Sequence, residues 1–94
     1  MKAIKTTYIA ATNTKGSRIL ATDEDKNKVY IPYPSELSDM DCYAKAAIAL
    51  CLKMGWTGQL RGGGFKSGYF FVFEDKRAIY PIPNKDEKEE VQNV

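Results

Sequence analysis

Residues 38–56, Ser-Asp-Met-Asp-Cys-Tyr-Ala-Lys-Ala-Ala-Ile-Ala-Leu-Cys-Leu-Lys-Met-Gly-Trp, constrain the fold more than any other stretch of this 94-residue chain. Ser38 followed by Asp41 has the spacing of a capping box, with Asp in place of the usual Glu or Gln. Asp39 and Asp41 put negative charge in the first turn, where the helix dipole favours it. Four alanines at 44, 46, 47 and 49 give the middle high intrinsic helicity. Gly55 stands where a left-handed residue ends a helix, and Lys53 lies in the last turn. The spacing predicts a helix over about 38–54. Met40, Tyr43, Ala44, Ala47, Ile48, Cys51 and Met54 form its expected apolar stripe, widened by Leu50 and Leu52. A lone helix with so wide a stripe is expected to lie on a sheet.

The flanking residues supply that sheet. Lys2–Ala11 alternates in the manner of a half-buried strand, Arg18–Thr22 is a second strand, and Lys28–Tyr33 a third. Thr12–Ser17 and Asp23–Asn27 are polar turns between them, so the three are expected to form an antiparallel meander. Pro32 and Pro34 suit the end of an edge strand. After the helix, Gln59–Arg61 is a candidate short strand and Gly62–Gly68 reads as a mobile hairpin loop. Tyr69–Phe73 is the most strand-like run, and Ala78–Ile82 is a candidate last edge strand limited by Pro81 and Pro83. The expected class is α+β with order β-β-β-α-β(-β), one antiparallel sheet carrying one helix on one face. Residues 1–83 form a single domain in this reading. From Asn84 onward the composition is charged and polar, and a disordered acidic tail over 84–94 is expected.

Chemistry is limited by what the chain lacks. It has no histidine, which excludes Ser-His-Asp and Cys-His catalysis and every His-ligated metal site. Its two cysteines, Cys42 and Cys51, fall on opposite sides of the predicted helix and roughly 13 Å apart along its axis. They are too distant for a disulfide and do not make a metal pair. No base stands beside a nucleophile in any recognisable spacing, so catalytic, metal and cofactor sites are all expected to be absent. No run approaches the ~18 apolar residues of a membrane span, and the first residues read as a strand rather than a signal peptide. Cytoplasmic residence with no membrane association is the expectation.

Net charge is +2, unevenly spread. Residues 1–84 hold 12 Lys/Arg against 8 Asp/Glu, and residues 85–94 hold 2 against 4. A mildly basic body therefore precedes an acidic end. With Ile4, Tyr8, Ile19, Val29 and Ile31 turned to the helix, the opposite sheet face is expected to show Lys5, Thr7, Arg18, Leu20, Thr22, Lys28 and Tyr30. Two basic glycine-containing turns add Lys15 and Arg18, and Arg61, Phe65 and Lys66. The triple glycine 62–64 lacks the spacing of a phosphate-binding P-loop and leads into a strand. Lys5, Lys15, Arg18, Lys28, Tyr30, Arg61, Phe65 and Lys66 are thus the candidate macromolecule-binding residues.

Lys2-Ala-Ile, Thr12-Asn-Thr-Lys-Gly-Ser-Arg-Ile19, Ile31-Pro-Tyr33, Lys53-Met-Gly-Trp56 and Tyr69-Phe-Phe-Val-Phe73 together resemble a group of short uncharacterised proteins of phages and bacterial mobile elements. That resemblance implies a genomic setting and no activity. Small proteins of such elements often inhibit host systems by stoichiometric binding, anti-CRISPR proteins among them. Three strands followed by a helix is also similar in layout to AP2 and integrase arm-binding domains, which place the sheet in the DNA major groove. Here Arg18 is the only strand arginine before the helix. The resulting expectation is a small non-enzymatic binding protein that occludes a host macromolecule, with a host protein as partner. The alternative is a nucleic-acid-binding module using the open sheet face and the basic turns. Monomer and homodimer both remain open.

Overall fold

The computed structural model describes residues 3–66 and 68–84. Five strands and one helix follow in the order β1 (Ala3–Ile9), β2 (Arg18–Thr22), β3 (Lys28–Pro32), α1 (Asp39–Met54), β4 (Leu60–Phe65) and β5 (Gly68–Phe73). A 3₁₀ turn, Lys76–Ala78, comes after them. All neighbours in the sheet are antiparallel, in the order β3-β2-β1-β5-β4. This is the α+β architecture expected from the sequence. The first three strands form the anticipated meander, while β5 pairs with the far side of β1 and leaves β4 at the edge.

Register follows from the alternation of apolar residues. Thr6 lies opposite Ala21 and Tyr69, Tyr8 opposite Ile19, and Ile4 opposite Phe71. Ile19 lies opposite Ile31, and Ala21 opposite Val29. Cross-strand partners share a face, so these residues make one continuous apolar surface. The helix lays Cys42, Ala46, Ala47, Leu50 and Cys51 on it. Ile4, Ile19, Ala21, Cys42, Ala46, Ala47 and Leu50 are wholly buried there, with Phe71 close to it. Each large aliphatic side chain so buried contributes about 1.5–3 kcal/mol. Thr6 is the buried polar exception, and its hydroxyl donates to the Tyr69 carbonyl at 2.7 Å.

The buried face of α1 is rotated from the expected stripe. Met40 and Ile48 are about half exposed, and Leu52 is more exposed still. Ala46 and Leu50 take the central positions instead, because a small side chain lets the helix approach the sheet closely. The helix ends as its sequence indicates. Gly55 adopts a left-handed conformation (φ 73°, ψ 22°), its N–H reaches the Leu52 carbonyl, and the Trp56 N–H reaches Cys51. At the other end Ser38 makes no backbone cap; its hydroxyl donates to the Asp41 carboxylate at 3.0 Å.

Two expectations are corrected. Gly62, Gly63 and Gly64 are not a mobile loop but the middle of β4, paired with Phe71, Phe70 and Tyr69 of β5, and at Gly62 the Phe71 ring takes the space that a side chain would fill. A Cβ built on Gly62 would stand 2.5 Å from the Phe71 ring. The predicted strand over Ala78–Ile82 does not form. Asp75 caps the 3₁₀ turn by accepting from the Arg77 N–H at 2.9 Å, and the described residues beyond it, 79–84, make no ladder. The tail expected over 84–94 lies, after Asn84, outside the described residues. Among those residues no helix is long and apolar enough to cross a membrane.

The β2–β3 connection is held by one buried carboxylate. Asp23 accepts from the N–H groups of Asp25 and Asn27 at 3.0 and 2.9 Å, and from the Asn27 amide at 2.9 Å. Lys26 takes positive φ (68°) to let the turn close.

Adjacent glycines of β4 respond differently to the same change. Gly62→Ala forces the Phe71 ring out of the core and lowers stability by about 1–3 kcal/mol. Gly63→Ala, whose Cβ meets nothing within 4 Å, leaves stability nearly unchanged. Urea midpoints of the two variants measure the difference.

Candidate macromolecule-binding face

With one side of the sheet covered by α1, the other side is open. Its residues are set by the same registers. One row across the sheet reads Gly63, Phe70, Lys5, Thr22 and Lys28, from β4 to β3. The next reads Phe65, Gly68, Thr7, Leu20 and Tyr30. Arg18 lies between Ile9 and Pro32 at one end of the face, and Arg61 lies opposite Val72 at the other. Neighbouring strands are about 4.8 Å apart, so Phe70 lies directly beside Lys5, and the rings of Phe65 and Tyr30 stand in the adjoining row.

Three aromatic side chains present themselves to solvent here: Tyr30 is 46% exposed, Phe65 66% and Phe70 38%. Phe65 and Phe70 meet edge to face with ring centroids 5.4 Å apart. The Arg18 guanidinium lies over the Tyr30 ring at 5.1 Å, and its buried Nε has no hydrogen-bond partner among the described residues. This contact holds two flexible side chains flat against the strands. No strand position on the open face carries an acid. Among the described residues Lys5, Arg18 and Lys28 have no carboxylate partner. Arg61 differs, because Glu74 just past β5 pairs with it at 2.6 Å and offsets its charge.

Six of the eight candidate residues therefore share this surface: Lys5, Arg18, Lys28, Tyr30, Arg61 and Phe65. Lys15, in the β1–β2 turn, joins them at a shallow concavity of about 310 Å³ that it lines with Arg18 and Tyr30. The turn there is shaped by Thr12, whose hydroxyl accepts from the Lys15 N–H at 3.1 Å. Lys66 is drawn elsewhere. It lines an open hollow of about 700 Å³ at the start of α1 with Asp39, Tyr8, Tyr43 and Tyr69. In that hollow Tyr43 packs on Tyr69 at 4.9 Å, and burial followed by the nearby Asp39 charge pushes the Tyr43 hydroxyl above its ordinary value.

Phe70 and Val72 belong to the open face and were not singled out from the sequence. Their signal was present in the period-two alternation of Tyr69–Phe73, which sends Tyr69, Phe71 and Phe73 inward and the other two out. The tyrosine hollow had no local signal, since its members come from β1, α1 and β5.

Both cysteines are free and buried, and no group of His, Cys, Asp or Glu among the described residues could hold a metal ion. Cys42 donates to the Pro34 carbonyl at 3.2 Å. Burial pushes the Cys51 thiol above its ordinary value. No protein-family model, curated protein or solved structure matches the chain.

A thiol with a raised pKa in the folded state stabilises the fold below its unfolded value and loses that contribution as pH climbs through the folded one. The raised Tyr33 and Tyr43 hydroxyls act with the same sign. The urea midpoint is therefore expected to fall as pH rises above about 8.5. Cys51→Ala flattens the first part of that fall, and both thiols of the native chain resist Ellman's reagent until denaturant is added.

Proposed function

We propose that this protein is a binding module rather than an enzyme, and that it engages single-stranded nucleic acid through the open sheet face. The observation that carries the reading is the composition of that face: exposed Tyr30, Phe65 and Phe70 share it with Lys5, Arg18 and Lys28, which have no carboxylate partner among the described residues, and no strand position carries an acid. Aromatic rings on a flat antiparallel sheet offer stacking surfaces to unpaired bases, and the cations between them follow the phosphates. A duplex hides its base faces and would leave the rings without a partner. The mobile-element resemblance fits a small binder of this kind, and occlusion of a nucleic acid would serve a host-defence inhibitor as well as occlusion of a protein.

Fluorescence anisotropy with a labelled single strand of about 12 nucleotides, and with the matching duplex, tests this directly. The single strand is expected to bind more tightly, with affinity falling steeply between about 50 and 200 mM salt. Phe70→Ala and Tyr30→Ala each weaken binding by about 1–3 kcal/mol. Lys5→Gln lowers the slope of log K against log salt by about 0.7. If neither strand nor duplex binds at the low-salt end, the reading fails. A host-protein partner is then the remaining alternative, and it requires a single stoichiometric partner whose recovery is lost with Phe70→Ala.

A further inference from the structure

The two edges of the sheet are built differently. At β3, Pro32 has no N–H to offer and Pro34 follows closely, so a further strand is refused. At β4, Leu60-Arg-Gly-Gly-Gly-Phe65 contains neither proline nor bulge and is exposed along all but its first residue. The ladder phase shows which groups are vacant. Glu74 donates to the Gln59 carbonyl at 2.7 Å, so Gln59 and Glu74 form a hydrogen-bonded pair. Such pairs alternate along antiparallel strands. Arg61, Gly63 and Phe65 therefore spend their backbone groups on β5, while Leu60, Gly62 and Gly64 direct N–H and C=O outward. No hydrogen bond within the described residues takes up those outward groups.

We propose that this edge pairs antiparallel with β4 of a second copy, about a twofold axis at Gly63. The segment is self-complementary in that register: Gly62 meets Gly64 of the other copy, and Arg61 meets Phe65. No like charges face each other, and an arginine lies on an aromatic ring on the open side. The helix packs on β1, β2 and β3 more than on β4, so it does not shield the edge. Two five-stranded sheets become one of ten strands, and the Phe65–Phe70 clusters of the two copies come together in one platform. This extends the nucleic-acid reading but is tested without any nucleic acid.

Sedimentation equilibrium of the full chain is expected to give twice the monomer mass of 10.6 kDa at micromolar concentrations. Gly64→Pro deletes an outward N–H without touching the β5 ladder, and is expected to weaken the dimer at least tenfold. Gly63→Cys places the two thiols at a non-hydrogen-bonded pair about 4.5 Å apart between Cα atoms, within reach of a disulfide. That variant is expected to cross-link under oxidised glutathione while Cys42 and Cys51 stay reduced. A monomer at every concentration overturns the proposal, as does a dimer that survives Gly64→Pro or fails to cross-link at Gly63→Cys. A dimer that survives Gly64→Pro but is lost with Tyr80→Asp assigns the contact to the exposed arm after residue 78 instead.

Discussion

Ala46, Ala47 and Leu50 of the one helix lie directly on Ile4, Ile19 and Ala21 near the middle of the sheet, and this contact organises the molecule. A helix is about 10 Å across, whereas five strands span about 19 Å between their outermost axes. One helix can neither cover its own side completely nor cover the other side at all. The small side chains of the buried helix face bring α1 close over the first three strands, and the shortfall falls at β4. An open second face and a thinly covered edge follow from that geometry.

Most of this was readable from local pattern. The helix showed its ends through Asp39, Asp41, Lys53 and Gly55, and the three-strand meander showed itself through alternation and turn residues. Helix phase was harder, because alanines and cysteines carry little weight in a hydrophobic stripe while Ile48 and Leu52 carry much. The small residues won because closeness of approach outweighed the size of any one side chain. The glycines of β4 misled for a related reason. Glycine usually marks a loop, but at position 62 its meaning is set by a ring from the neighbouring strand.

The candidate site was partly legible for the same reason that the sheet was. Period-two alternation assigns residues to faces before any pairing is known, so Lys5, Arg18, Lys28 and Tyr30 could be grouped at once. What alternation could not show was which strand would lie beside β1. Phe70 becomes a neighbour of Lys5 only because β5 inserts there, and the charge of the candidate residue Arg61 is offset only because Glu74 reaches it. Both facts depend on pairings between residues far apart in sequence or across a hairpin.

That insertion of β5 has a consequence for how the chain comes to be folded. β1 is the central strand, and one of its two sides is completed by residues 68–72, more than sixty positions later. Local closure can assemble β1, β2, β3 and the helix early, since each of these elements is joined to the next by a short loop. The Phe71 ring that finishes the core arrives only with the last strand. On a ribosome, the central strand therefore stands with one unsatisfied side until nearly the whole domain has emerged, and the step that seals it has the longest loop to close. The order of synthesis thus makes β5 the clasp of the fold, and a chain stopped short of it leaves β1 as a bare edge.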